Sequence, residues 1–355
     1  MIEIRTAQET DRPAVLELMA SAAGPEKAET LRRRWDWQWH QDPRLDRPGY
    51  RGVVAVWDEK VVANVSFMPA GLYLSGDAVD ADWLADVRVH WGLARAAIRA
   101  ARRAGVPKRE LFPDGLAAAM FDHPDPRPIQ LGKHIGEAMM SIGHRVGFRE
   151  LPGAGNRMRR VSLRWPLQRM LGRYPAAILV PVADLGLGPL PRPRLSVVEH
   201  DGPFDARFDR LWAQAVATYP AITRRDAAVL EWHYRRHPDT RYQVLVLEQS
   251  NDLRGYLIFK IWQRKGRRIS RIVDLLTAMD DLEAAQALVA QALRTLRRRG
   301  AERADWFVSA PWLQPLVSTL GFEPRLTRRQ RAQPLMVRGL PETSLYVTSG
   351  DGDGG

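Results

Sequence analysis

The chain of 355 residues contains no cysteine. Disulfide staples, thiolate nucleophiles and zinc sites built on thiolates are therefore excluded. It also lacks any run of about 18 apolar residues, so no membrane-spanning helix is expected. The N-terminus, MIEIRTAQETD, is charged from its third residue and has no apolar centre, so it does not read as a secretory signal. The absence of cysteine fits a cytoplasmic location, which is the expectation. Lysine is scarce: six of the 53 basic residues, which leaves 53 − 6 = 47 arginines. There is no Gly-x-Ser-x-Gly, no Walker loop and no Gly-x-Gly-x-x-Gly. His123, Asp125 and His134 share one proline-rich stretch but at no zinc spacing, so no metal is expected.

What is present is strongly basic. The net charge is +12, a field that favours anionic partners: a phosphorylated cofactor, RNA, an acidic polymer or a membrane surface. The arginines are scattered over 95–109, 157–173, 264–271, 294–303 and 325–338, with no dense block. They read as solvated surface rather than a nucleic-acid tail. Richness in arginine and alanine reads as GC-rich bacterial coding. At 45% hydrophobic and 26% charged, the composition is that of a folded protein long enough for two domains.

A composition break divides the chain. The stretch PVADLGLGPLPRPR (181–194) holds four prolines and two glycines, which suits an extended linker. The expected organisation is a domain over 1–175, a Pro-rich linker over 176–194, a second domain over 195–348 and a flexible tail over 349–355.

The two halves carry the same signals in the same order. Each opens with a short strand and a helix: IEIRTA with Val15, Leu16, Leu18 and Met19, then LSVVEH with Phe208, Leu211, Trp212 and Ala215. Each continues into a second helix ending in W-x-[WY]-x-x-[DH]-P: WQWHQDP (37–43) and WHYRRHP (232–238). A pair of apolar strands follows, then a strand with a central aspartate, Asp86 or Asp274. A long helix comes next and ends at Gly105 or Gly300, since glycine takes the left-handed conformation just past a helix end. In the second half that helix places Leu282, Ala285, Val289, Ala292 and Leu296 on one stripe. Each half closes on Gly-Phe, at Phe148 and Phe322. The reading is α+β: two tandem units, each a mixed central sheet flanked by helices, related by duplication. The three tryptophans of WDWQWHQDP (35–43) could form a stacking platform. The repeat instead assigns Trp37 and Trp232 to packing the second helix on its sheet.

In this order of elements the chain resembles a tandem pair of Gcn5-related N-acetyltransferase (GNAT) domains over nearly its whole length. The resemblance rests on Ile4-Arg5-x-Ala7 with Asp11, Val15 and Leu18, on Gly147-Phe148 and Gly321-Phe322, and on the repeated W-x-[WY] segment. It implies an enzyme: an acyltransferase moving an acyl group from acetyl-CoA or another acyl-CoA to an amine, with a small molecule or glycan, such as an amino sugar or polysaccharide precursor, as acceptor. It implies that the pyrophosphate sits where the fourth strand meets the long helix, at Val87, Val89, Gly92, Ala94 and Arg95. A helix N-terminus there offers N–H groups to phosphate. Family candidates for the general base are Asp86, Glu137 and His144. The positions matching the family's tyrosine acid are Gly143 and Val317, neither of which donates a proton. Trp39 and Tyr234 are the expected substrate contacts. From the central aspartate to the helix-ending glycine is 105 − 86 = 19 residues in the first half and 300 − 274 = 26 in the second. The second half has no glycine at its loop and carries Asp280, Asp281 and Glu283, which occupy the helix dipole themselves. Two alternatives stand beside this reading: a FemAB-like aminoacyl transferase using charged tRNA, and a catalytically degenerate GNAT binding module.

Overall fold

A computed structural model describes residues 2–106, 121, 127–133, 137–324 and 335–352. The first half runs β1 (Glu3–Thr6), α1 (Arg12–Ala23), α2 (Pro25–Trp39), β2 (Gly52–Trp57), β3 (Lys60–Pro69), β4 (Leu72–Leu74), β5 (Asp77–Val79), β6 (Ala81–Val89), α3 (Trp91–Arg103), β7 (Ile129–Gly132), α4 (Glu137–Arg145) and β8 (Arg149–Glu150). A middle section holds β9 (Gly155–Arg160), α5 (Arg164–Leu171) and α6 (Arg173–Leu185). The second half runs β10 (Val197–His200), α7 (Ala206–Thr218), β11 (Ala221–Thr223), α8 (Ala227–Leu230), β12 (Gln243–Gln249), β13 (Asp252–Arg264), β14 (Arg267–Thr277), α9 (Leu282–Arg298), β15 (Arg303–Val308), α10 (Gln314–Thr319), β16 (Glu323–Pro324), β17 (Met336–Arg338) and β18 (Leu345–Tyr346).

Local chemistry explains the repeated parts. The β2–β3 hairpin is rich in valine and turns on Asp58–Glu59, at φ 52° and 61°. Its counterpart between β12 and β13 turns on Ser250–Asn251, at φ 52° and 69°. Two consecutive left-handed residues match the twist of a hairpin. Helix α9 buries Ala285, Leu288, Val289, Ala292 and Leu296 against the second sheet. Leu282, placed on that stripe by spacing, is instead 38% exposed at the helix start.

The sheets have matching orders. The first is β1-β2-β3-β6-β7-β17-β8 and the second is β10-β12-β13-β14-β15-β9-β16. The sixth strand of each sheet comes from outside its own half. Strand β17 lies antiparallel between β7 and β8, while β9 lies antiparallel between β15 and β16. The bounds drawn at 1–175 and 195–348 therefore do not follow the sheets. Each half hands one strand to the other, which covers backbone edges that a half standing alone would leave open. A smaller sheet, β18-β11-β4-β5, also joins the halves.

Two further expectations are corrected. The linker over 176–194 is not extended throughout: α6 continues to Leu185 with Pro181 inside it. Pro181 removes one N–H, but the side is exposed, so the freed carbonyl is left to water. The tail is not loose over 349–352. Ser349 and Asp351 are buried, for reasons given below; residues 353–355 lie outside the described part.

The repeated tryptophans are also reassigned. Trp37 lies in the core of its own half, but Trp232 joins that same core instead of its own half's, and the two rings stack on each other, centroids 4.5 Å apart at 12°. Trp37 Nε1 donates to the Trp232 carbonyl at 3.0 Å, and Trp232 Nε1 donates to the Trp37 carbonyl at 2.9 Å. The motif thus forms a reciprocal joint between the halves. The [DH] position of the motif, Asp42 and His237, flanks this joint. Asp42 holds the buried Arg44 at 2.8 Å, and Arg44 lies over the Trp232 ring at 4.9 Å. His237 sits 4.7 Å from the Trp37 ring.

Candidate active site

In each sheet the fourth and fifth strands are parallel and then part. Strand β6 pairs with β7 only from Ala81 to Trp83. Among the described residues, Leu84 to Val89 have no β7 partner. Strand β6 is also bulged: Val65 alone on β3 faces both Asp86 and Val87. Asp86 takes up the extra residue at φ 46°, a conformation aspartate tolerates better than most side chains. A bulge re-aims backbone groups and increases twist, so this half of β6 turns away from β7.

The parted strand forms a hollow of about 560 Å³ with the end of α1 and the start of α3. Among the described residues its lining is Ser21, Ala22, Ala23, Val87, Arg88, Val89, His90, Trp91 and Gly92, none of them a carboxylate. His90 caps α3, its Nδ1 accepting from Leu93 N at 3.2 Å. The N–H groups of Trp91 and Gly92 begin the helix beside it. A Cβ on Gly92 would come within 3.2 Å of the His90 ring, so glycine keeps this corner open. The helix dipole, Arg88 and the absence of acid suit an anionic group such as a pyrophosphate. Beneath the bulge, Tyr50 O–H donates to Asn64 Oδ1 at 2.7 Å and meets Ser66 Oγ at 2.7 Å. Asn64 Nδ2 donates to the Asp86 carbonyl at 3.1 Å. Burial, reinforced by Asp86, holds the Tyr50 hydroxyl above its ordinary value, so it remains a protonated donor.

The structure brings Val87, Val89 and Gly92 together around the hollow, with Asp86 at the bulge next to them. It does not bring Ala94 there: that residue is buried beneath α3. Arg95 is exposed and outside the lining. His144 is half-exposed on α4 with Nε2 3.3 Å from Glu150 Oε1, also outside the lining. The Glu137 side chain lies outside the described residues, as do His123, Asp125 and His134. Trp39 and Tyr234 are corrected from substrate contacts to core. Trp39 is fully buried, 4.9 Å from Tyr50, because it fills the space behind α2. Tyr234 is buried and donates to Asp274 Oδ2 at 3.1 Å. Sequence reasoning missed Ser21 to Ala23, which carry no motif, and His90, whose capping position before the helix was legible.

The second sheet has the same parting but a different fate. Strand β14 pairs with β15 only from Ile269 to Ile272, and Val273 is its bulge residue. The chain's own C-terminal segment fills the gap. Gly350 N donates to Val273 O at 2.7 Å, Tyr346 O–H to Leu275 O, and Val347 N to Ser309 Oγ at 2.9 Å. Asp351 anchors the plug by pairing with Arg225, Nη2 to Oδ2 2.6 Å. Arg225 also donates to Asp274 Oδ1 at 3.1 Å and to Thr223 O at 2.6 Å, so its buried guanidinium is well satisfied. Burial opposes ionisation of Asp351, but Arg225 and then Lys133 outweigh it and hold the carboxyl below the usual range. At the head of α9, Asp281 accepts from Ala284 N at 3.1 Å, and Arg254 bridges Asp281 and Glu283 at 2.8 and 2.9 Å. The positions that stay open in the first half are thus filled or acidic in the second.

Solved structures share this architecture. A GCN5-related N-acetyltransferase from Anabaena variabilis superposes with a TM-score of 0.56 at 12% identity, over 95% of this chain and 72% of that one. One from Kribbella flavida gives 0.55 at 16% identity, with the same coverage. Saccharomyces cerevisiae N-myristoyltransferase, solved with bound myristoyl-CoA, gives 0.54 at 12% identity over 97% of this chain and 84% of that one. No family model and no curated protein matches the sequence. The chain has the GNAT fold, present as two units. Among the described residues, no group of three or more His, Asp or Glu is placed to hold a metal, and no helix is long and apolar enough to cross a membrane.

Proposed function

We propose that the first half carries an acyl-CoA-dependent N-acyltransferase site in the hollow between β6, α1 and α3. The observation that carries this reading is the parted, bulged β6 running into a helix N-terminus free of acid, when its counterpart in the second half is plugged. The anionic end of the CoA lies at Trp91 and Gly92 with Arg88 beside it, and the thioester arm lies along Val87 and Val89. The acceptor amine, once deprotonated, attacks the thioester carbon; the carbon–sulfur bond breaks, and the thiolate takes up a proton. Asp86, at the bulge and next in the chain to Val87, is the base candidate. The second half shapes and supports the site and takes no CoA. That a neighbour of the same fold binds myristoyl-CoA is consistent with an acyl-CoA co-substrate.

Calorimetry with acetyl-CoA and with longer acyl-CoA tests the reading, repeated on Gly92→Glu. Saturable binding to the wild type, weakened about tenfold or more by a carboxylate at the helix start, is expected. No binding at millimolar concentration would sink it, and salt-sensitive binding of charged tRNA in its place would favour the aminoacyl-transferase alternative.

A further inference from the structure

Seven of the ten exposed large hydrophobic side chains among the described residues lie between Met170 and Leu185. Such a concentration is not the scatter normal for a protein surface. Tyr174, Ile178, Val182 and Leu185 are 84%, 77%, 67% and 76% exposed and form one stripe along α6. Met170, 78% exposed, extends it onto α5. The opposite stripe of α6, Ala176, Val180 and Asp184, is buried, and Asp184 Oδ1 accepts from Leu163 N at 2.6 Å. The hairpin is therefore seated on the protein by one face and presents an apolar second face outward. A helix apolar on both sides needs a cover.

The charges around it choose the cover. Residues 160–194 hold Arg160, Arg164, Arg169, Arg173, Arg192 and Arg194 against Asp184 alone, a net of 6 − 1 = +5. That one acid is buried, so no carboxylate of this segment reaches the surface. Trp165 lies at the base of the hairpin, 4.8 Å from the Arg267 guanidinium and 5.5 Å from that of Arg169. Two copies docked through this face would bring like charge against like charge. An anionic lipid surface meets both features: the stripe enters the acyl boundary while the arginines meet phosphate.

We propose that the α5–α6 hairpin docks this protein peripherally on an anionic bilayer surface. Docking is independent of the acyl-transfer site and does not rest on that reading. It uses an interfacial helix, not a spanning one.

The test is co-sedimentation of the full chain with vesicles of phosphatidylcholine alone and of phosphatidylcholine mixed with phosphatidylglycerol, at low and high salt. The expected result is binding to the anionic vesicles that weakens with salt, and little binding to the neutral ones. Ile178→Glu combined with Val182→Glu should weaken it by about tenfold or more with the thermal midpoint unchanged, since both sites are open. Should that pair lower the midpoint, Arg164→Gln with Arg169→Gln decides instead, and a weaker, less salt-sensitive partition is expected. Absence of binding to anionic vesicles, or binding untouched by both pairs of substitutions, overturns the proposal. So does sedimentation velocity showing a wild-type dimer that the glutamates convert to monomer, because the face then belongs to a second copy.

Discussion

The two clefts of this protein start from the same plan and end differently. In each sheet the fourth strand is bulged near a central aspartate and parts from the fifth. In the first half the parted strand faces a hollow whose helix start carries no acid. In the second half the gap is filled by the chain's own C-terminus, and the helix start is capped by Asp281. The same plan thus leaves one cleft open and closes the other with the chain itself. The plug also ties the copies together: Lys133, at the end of β7, donates to the carbonyls of Thr348 at 3.1 Å and Ser349 at 2.9 Å.

The largest way to disturb this contrast is to remove the anchor of the plug. Asp351→Ala leaves the Arg225 guanidinium buried without its closest carboxylate, and a loss of about 3–5 kcal/mol is expected. Chemical denaturation measures it; an unchanged midpoint would mean that the tail does not close the second cleft. The joint between the halves comes next. Trp37→Phe and Trp232→Phe each strip the donor from a buried carbonyl at a cost of about 1–3 kcal/mol. Because the rings stack, the double variant should lose less or more than the sum, whereas additive losses would deny the coupling.

Gly92→Glu asks about the open cleft alone. It should weaken acyl-CoA binding with little change in stability, while Leu282→Glu, at the matching helix of the plugged half, should leave that binding as it is. Equal effects from both would erase the difference between the clefts. The smallest effect near neutral pH lies at the position that is Asp42 in one copy and His237 in the other. Burial first, then Arg34 and Lys260, push His237 down to about 3. Its Nδ1 accepts from Asp239 N at 3.1 Å and Thr240 N at 3.0 Å. A histidine depressed in the folded state binds fewer protons than the unfolded chain between that value and the ordinary 6.5. Stability therefore rises with pH across that window, by at most about 1.4 kcal/mol per pH unit. His237→Asn, whose Oδ1 can replace Nδ1 as the acceptor, should reduce the slope between about pH 4 and pH 6.5 and leave stability above pH 7 nearly unchanged, which denaturation across that range measures.

Much of the scaffold was legible because it is local. The hairpins announce themselves through valine runs around short polar turns. Gly105 and Gly300 mark helix ends, and both adopt positive φ, 83° and 73°. Val87, Val89 and Gly92 were legible as a group because strand, loop and helix follow one another in the chain. Ala94 and Arg95 were misplaced because a helix rotates about 100° per residue, and a window of sequence does not say which side meets the cleft. Trp39 and Tyr234 were misplaced because aromatic chemistry reads the same in a core as on a platform.

The sequence by itself determined the α+β plan, its duplication and the two unequal helix starts, since periodicity, turn residues and capping acids act over a few positions. Only the tertiary structure decided the rest. The exchange of β9 and β17, the stacking of Trp37 on Trp232 across 195 residues, and the burial of a Gly- and Asp-rich tail against Arg225 all depend on partners distant in the chain. Their stability comes from satisfying backbone edges and buried charges on another element, which no local pattern encodes.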